Sequence, residues 1–184
     1  MPSPPDRKAE DWIRAAARRL AQGGAAAVAV EVLARDLGVT KGSFYWHFRD
    51  RPALLAALVD HWEGQASAPL IARLRTIAGG PRARLQALMA TVAAEGGGSL
   101  DPAMRAWAMT DEEARAALER VDEARLAFIA SEFEALGFAA AAARVRARLF
   151  YLHLLGEHAL ALAAQRDRAE AGEKVLELLA EHAA

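Results

Sequence analysis

Helix-forming residues dominate this chain from one end to the other, and glycines interrupt them. Alanine, leucine, arginine and glutamate recur throughout its 184 residues, and all four have high helix propensity. No Asn-Gly or Asp-Gly pair separates alternating apolar runs, as a tight β-hairpin would favour. The pattern therefore predicts an all-α fold of nine or ten helices joined by short links.

Four helices are predicted in the N-terminal third. The first runs from about residue 7 to 22 and stops at Gly23-Gly24, and the second covers about 30–37. The third follows after three residues and runs to about Phe48, and the fourth begins near Asp50, whose side chain is a good N-cap. Short links between the second, third and fourth helices predict a compact N-terminal domain.

The second and third of these helices are separated by Gly38-Val39-Thr40 alone. A glycine at the start of this link suits the left-handed conformation that often ends a helix. Two helices with such a turn have the layout of a helix-turn-helix. On the third helix Phe44 and Phe48 share one side, which we expect to be buried, and Trp46 then points to the opposite side.

A tryptophan opposite the buried side needs a partner, and two explanations are open. Trp46 packs on a neighbouring helix of the same chain, or it contacts a molecule outside the protein. The second explanation fits its neighbours, because an amine, hydroxyls and a glycine lie around it. Such groups bond phosphates and base edges, and a residue without a side chain lets the backbone approach a groove closely. The neighbours are Thr40, Lys41, Gly42, Ser43 and Tyr45.

Residues 33–55 resemble the signature of the tetracycline-repressor (TetR) family, and its core is the run Gly38-Val39-Thr40-Lys41-Gly42-Ser43-Phe44-Tyr45-Trp46-His47-Phe48. The resemblance implies a dimeric regulator whose grip on operator DNA loosens when its body binds a ligand. It also implies which residues face DNA: Thr40, Lys41, Gly42, Ser43, Tyr45, Trp46 and His47. Arg51 stands where the family usually has a phosphate-binding lysine. Ala29 departs from the family pattern, which often has a threonine as N-cap.

The charge distribution separates the two ends of the chain. Residues 1–51 hold nine Lys/Arg and six Asp/Glu, a net charge of +3, whereas residues 52–184 hold 14 and 18, a net charge of −4. Basic side chains displace counterions from phosphates. We therefore expect residues 1–49 to form a helix-turn-helix DNA-binding domain and residues 50–184 a helical ligand-binding and dimerisation domain.

The C-terminal part is divided into further helices by glycines and capping residues. Thr110, with Glu113 three residues later, predicts a capping box at the start of a long helix. Large apolar side chains cluster nearby, and two interpretations are open. They form only the hydrophobic core, or some of them also line a ligand cavity, because ligand cavities have mostly apolar walls. The residues predicted to bind the ligand are Trp107, Phe128 and Met104.

The last two helices carry rows of apolar residues that predict an interface. One row contains Val145, Leu149, Leu152, Gly156 and Leu160, and the other contains Val175, Leu178 and Leu179. By resemblance to the family, these helices pair with their mates in a homodimer. The alternative is that they are buried within their own chain.

Several classes of protein are disfavoured. The chain has no cysteine, so disulfides and thiolate metal sites are excluded. No apolar run approaches the length of roughly 18 residues that a membrane span needs, and the first residues lack the layout of a secretory signal. We expect a cytoplasmic protein that has no cofactor, no metal and no membrane partner. No zinc-protease or nucleophile-elbow motif occurs, so we do not expect an enzyme.

The sequence thus predicts a transcriptional repressor that binds double-stranded, palindromic operator DNA and is released by an unknown small-molecule effector. Two alternatives remain open: a DNA-binding protein of the same fold that senses another protein or nothing, and a helical-bundle enzyme.

Overall fold

The computed structural model describes residues 8–95, 100–159 and 165–181, and in these ranges it contains ten α-helices and one 3₁₀ turn. In chain order they are α1 (Ala9–Gly23), the 3₁₀ turn (Ala25–Ala27), α2 (Val30–Leu37), α3 (Lys41–Phe44), α4 (Arg51–Ala66), α5 (Ala68–Arg75), α6 (Gly80–Glu95), α7 (Asp101–Ala108), α8 (Glu112–Ala135), α9 (Ala140–Ala159) and α10 (Gln165–Ala180). The described ranges hold no strand, which confirms the all-α class. None of their helices is long and apolar enough to cross a membrane.

The chain folds as two compact units. Of the described residues, the first unit contains those up to Ala66 together with Leu100–Val121, and the second contains those within Ser67–Ser99 and Asp122–Ala184. Helices α4 and α7 and the start of α8 therefore belong to the same unit as the helix-turn-helix. The predicted boundary between residues 49 and 50 separates a DNA-binding domain from a ligand-binding and dimerisation domain. The division into compact units does not test where these functions begin and end, so this boundary stays a prediction.

The first unit has a core to which its helices α1–α4 and α7 contribute. On α1 the buried residues recur every three or four positions, which places them on one face. Large side chains of this core with almost no exposed surface are Trp12, Leu20, Leu33, Phe44, Leu54, Leu58 and Met104. Because α7 supplies Met104, the helix-turn-helix is supported by a helix that lies far from it in sequence.

The second unit has its own aromatic and aliphatic core. The ring of Phe133 meets the rings of Phe138 and Phe150 edge-on, with centroids 6.1 and 6.2 Å apart. A partly buried ion pair lies in the same unit, where the guanidinium of Arg84 contacts the Glu132 carboxylate at 2.7 Å. Glu132 is 5% exposed, so its charge depends on this partner for compensation.

Two predicted helix starts had different outcomes. Asp50 is confirmed as a capping residue, because its carboxylate accepts a hydrogen bond from the amide of Ala53 at 2.8 Å. The capping box at Thr110 is wrong. The carboxylate of the next residue, Asp111, accepts from the amide of Ala114 at 3.0 Å, whereas the Thr110 hydroxyl donates to the carbonyl of Trp107. The N-cap is therefore Asp111, one residue later than predicted, and a carboxylate is a strong cap because its charge strengthens the bond.

The third helix is shorter than predicted. Its α-helical part ends at Phe44, and the chain continues to coil as turns. The amide of Tyr45 donates to the carbonyl of Gly42 at 3.2 Å, and the amide of His47 donates to the carbonyl of Phe44 at 2.9 Å. These bonds reach three residues back, as in a 3₁₀ helix. A glycine and a run of aromatic residues have low helix propensity, which explains the early end.

Part of the predicted C-terminal interface is an exposed apolar row on α9. Its members Val145, Leu149 and Leu152 are all exposed, and so is Leu178 on α10. The spacings of four and three residues place the α9 members on one helix face. Leu160, the last member of the predicted row, lies outside the described residues.

We expect Arg84→Ala to lower the free energy of unfolding by about 3–5 kcal/mol, since it leaves a buried carboxylate without its ionic partner. Chemical denaturation followed by circular dichroism measures this change. Arg14→Ala is the control, because Arg14 pairs with Glu10 on an exposed helix face and its loss should cost less than about 1 kcal/mol. Equal effects of the two substitutions would contradict the role given to the buried pair.

Candidate nucleic-acid interface

A tight turn joins α2 to α3. Gly38 ends α2 with φ +68° and ψ +32°, a left-handed conformation that glycine adopts without steric cost. The amide of Val39 then bonds back to the carbonyl of Ala34 at 2.9 Å. Only three residues separate the two helices, so the predicted helix-turn-helix layout is confirmed.

One side of the third helix is anchored in the core by Phe44. Its side chain is fully buried, and its ring meets Trp12 of α1 edge-on with the centroids 5.3 Å apart. Phe48 stacks on the same ring at 5.6 Å. The predicted buried side is therefore present, and it fixes the orientation of the segment on α1.

The opposite side of this segment faces solvent. Trp46 is 87% exposed and Tyr45 is 55% exposed, so the alternative in which Trp46 packs on a helix of the same chain is not found. Thr40, Lys41 and Gly42 are also exposed, whereas the side chains of Ser43 and His47 are half-buried. The structure thus brings the predicted DNA-facing residues of positions 40–47 onto one accessible surface.

Arg51, the first residue of α4, forms hydrogen bonds with the main chain of the segment between α1 and α2. Its Nε donates to the carbonyl of Val28 at 2.6 Å, and Nη2 donates to the carbonyl of Ala25. These bonds hold the start of α4 against the 3₁₀ turn that precedes α2. A guanidinium has five N–H donors, so the bonds are compatible with a phosphate contact, which stays a prediction.

Lys41 forms an ion pair that the sequence analysis missed. Its Nζ donates to Oε1 of Glu31 at 2.5 Å, and this hydrogen bond lowers the pKa of Glu31 and raises the pKa of Lys41. Both groups are therefore charged near neutral pH. Ten residues separate the partners, so no spacing rule within one helix signals the contact. It depends on the turn at Gly38.

A second ion pair joins α1 to α2. The guanidinium of Arg19 donates to both carboxylate oxygens of Asp36, with Nε at 2.6 Å. The pKa of Asp36 is lowered chiefly by this hydrogen bond. A bidentate arginine–carboxylate pair fixes geometry as well as charge, so it helps to hold the helix before the turn in place.

A model of the family described as "Bacterial regulatory proteins, tetR family" matches residues 13–58, which include most of α1 and all of α2 and α3. The N-terminal segment of this chain is therefore similar to the DNA-binding domain of that family. An "Uncharacterized HTH-type transcriptional regulator YerO" from Bacillus subtilis is 34% identical over 59 residues, which are 32% of this chain and 20% of that protein. The match therefore spans about a fifth of that relative's length.

Solved structures of TetR-family regulators share the fold over nearly the whole chain. A putative TetR-family regulator from Rhodococcus sp. has a TM-score of 0.76 at 21% identity, and covers 94% of this chain and 98% of its own. A TetR-family regulator from Agrobacterium tumefaciens has a TM-score of 0.73 at 19% identity, with coverages of 92% and 96%. At such identities the likeness concerns the fold alone.

The three residues predicted to bind an effector lie in two different cores. Met104 and Trp107 are buried in the core of the first unit, and Phe128 is buried in the core of the second. The structure therefore brings two of the three into one cluster. Their role in core packing is evident, and a role in ligand binding stays a prediction.

The two sides of the third helix should respond differently to truncation. Phe44→Ala removes a fully buried ring and should lower the free energy of unfolding by about 3–5 kcal/mol. Trp46→Ala removes an exposed ring and should change it by less than about 0.5 kcal/mol. Urea denaturation of both variants makes the comparison, and a large loss in Trp46→Ala would show that this side is buried in solution.

Proposed function

We propose that this chain is a ligand-responsive transcriptional repressor that binds palindromic operator DNA as a homodimer. One observation carries the DNA-binding part: the segment 40–47 is anchored by a buried phenylalanine and presents Trp46, Tyr45 and Lys41 to solvent. A segment held rigidly on one side and open on the other suits insertion into a major groove. DNA binding also implies a cytoplasmic location.

The exposed residues divide by chemistry into two kinds of contact. Lys41, and the hydroxyls of Thr40 and Ser43, suit phosphate oxygens, which position a protein on the duplex. Trp46 and Tyr45 suit base edges and the thymine methyl group, which carry sequence information. His47 is half-buried beside them, and Gly42 allows close approach of the backbone.

Arg51 has a positioning role in this proposal in addition to a phosphate contact. Its bonds to the carbonyls of Ala25 and Val28 fix the start of α4 beside the helix-turn-helix. Further along α4, Nε1 of Trp62 donates to the Asp101 carboxylate of α7 at 3.0 Å. Helix α4 therefore has a hydrogen-bonded anchor at each end within the first unit, and this supports a role as a lever between effector and DNA.

The proposed effector acts by shifting a two-state equilibrium. One conformation sets the two recognition segments of a dimer at the spacing of successive major grooves, about 34–36 Å, and the other conformation does not. An effector shifts this equilibrium only by its difference in affinity for the two states. Met104, Trp107 and Phe128 are the side chains that we propose contact it. Their truncation should leave DNA binding intact and remove the response.

The dimer is proposed to form through the exposed apolar row of α9 and through α10. Val145, Leu149 and Leu152 would be buried against a second copy, which removes apolar surface from water. A dimer also fits the operator, because two identical recognition segments match the two halves of a palindrome. The match of residues 13–58 to the TetR family supports a dimer as well.

The direct test of the proposal is an anisotropy titration with a duplex selected from a random library. Wild type should bind tightly and with strong salt dependence. Trp46→Ala should weaken binding to the selected duplex by about tenfold or more, as loss of a base contact does. Lys41→Ala should weaken binding to all duplexes and reduce the slope of log affinity against log salt by at most about 0.9, the value for one phosphate contact. Met109→Ala is the matched control, because Met109 is 84% exposed and lies after α7.

If wild type selects no duplex, the repressor proposal fails. If it selects one and binds it as tightly in both variants, the third helix is not the reading element.

The dimer proposal has its own test. Leu152→Glu places a charge in the proposed interface, where charged residues are disfavoured, and should convert the dimer to a monomer in size-exclusion chromatography with light scattering. The monomer should bind a palindrome far more weakly, because the second site is lost. Met109→Glu, an equally polar change at another exposed apolar residue, should remain dimeric. A dimeric Leu152→Glu variant would move the interface elsewhere.

A further inference from the structure

A carboxylate lies on the surface that the proposed function assigns to DNA. Glu31, in the first turn of α2, accepts a hydrogen bond from Nζ of Lys41 at 2.5 Å. Between Gly38 and Phe48 the sequence has no other lysine or arginine. Lys41 therefore carries the permanent positive charge of this segment, and it is paired with Glu31 on the preceding helix, α2.

The ion pair contributes little to holding the fold together. Both side chains are more than half exposed, at 51% for Lys41 and 60% for Glu31. Exposed ion pairs add little stability, because water and salt screen the attraction and two long side chains lose freedom. The fixed orientation of α2 and α3 comes from the buried core, so the pair is not needed for it.

A structural use of Glu31 can be separated by experiment from a use at DNA. A carboxylate in the first turn interacts favourably with the N-terminus of a helix, and Ala29 provides no side-chain cap for α2. A helix-stabilising role changes the melting temperature. A role at DNA changes affinity and its salt dependence instead.

A phosphate that binds Lys41 has to compete with Glu31. The ammonium is already hydrogen-bonded, and a phosphate on it would lie well within one Debye length of the Glu31 carboxylate, which is about 8 Å at physiological salt. Two anions would then face each other across one cation. Like charges at this separation repel, so Glu31 opposes the contact that Lys41 makes.

We propose that Glu31 limits the DNA affinity of this chain by holding Lys41 in an ion pair that a phosphate has to displace. The inference rests on the proposed function, since it takes Lys41 as a phosphate contact. It adds a residue that acts against binding and lies on α2, outside the DNA-facing segment. Because phosphate contacts dominate sequence-independent binding, Glu31 keeps that binding weak and leaves a larger share of the total to base contacts such as Trp46.

The test measures the affinity of full-length variants for a labelled duplex of scrambled sequence, over a salt series from about 50 to about 200 mM. Glu31→Gln should bind about fivefold tighter at the lowest salt, and the slope of log affinity against log salt should steepen by less than the roughly 0.9 of one phosphate contact, because Lys41 makes part of that contact in the wild type. Glu112→Gln is the matched control. It makes the same charge change at another exposed ion pair, with Arg115 on α8, and should change affinity less than about twofold because Glu112 does not pair with Lys41.

A double-mutant cycle with Lys41→Ala decides the mechanism. In the Lys41→Ala background, Glu31→Gln should have no more effect than Glu112→Gln, because no ammonium is left to release. An equal gain in affinity in both backgrounds would contradict the proposal that Glu31 competes with phosphate for Lys41. It would mean instead that the charge of Glu31 repels DNA without involving Lys41. A change in melting temperature without a change in salt slope would assign Glu31 to helix stability alone. If no variant binds either this duplex or one selected from a random library, the proposed function itself fails.

Discussion

The packing of Phe44 against Trp12 is the contact on which the recognition surface depends. Phe44 is fully buried and meets Trp12 edge-on, so it fixes both the depth and the rotation of a helix that is only four residues long. So short a helix is not stable by its own hydrogen bonds. The contact between Phe44 and Trp12 therefore also sets the orientation of the rest of segment 40–47, in which Trp46 lies on the outside.

Ionic and polar contacts then set the connections around that anchor. Arg19 and Asp36 join α1 to α2, and Arg51 ties α4 to main-chain carbonyls before α2. Lys41 and Glu31 have a different character, because they are exposed and neutralise the charge that DNA would use. The same surface thus combines contacts that hold the helices in place with one that, in our proposal, moderates their affinity.

Much of the first unit could be predicted from local sequence signals. The turn at Gly38 needs a left-handed residue, Asp50 caps α4 through its own carboxylate, and the spacing of Phe44 and Phe48 defines a buried side. These features depend on residues within a few positions of one another, so periodicity and capping rules reach them.

Features that depend on tertiary contacts could not be predicted in the same way. Helix α7 belongs to the first unit and buries Met104, Trp107 and Ala108 in its core, which no local pattern indicates. The early end of α3 follows from the low helix propensity of Gly42 and of the aromatic residues after it. The ring contacts of Phe44 with Trp12 and Phe48 hold the segment in place at that point. The pair of Glu31 with Lys41 exists only because the folded turn brings two helices together.

Hydrogen–deuterium exchange with and without a duplex selected from a random library tests the central claim most directly. Amides of residues 40–47 should become protected when DNA binds, whereas those of α7 should change little. Protection confined to other helices, with residues 40–47 unchanged, would contradict the assignment of this segment to DNA.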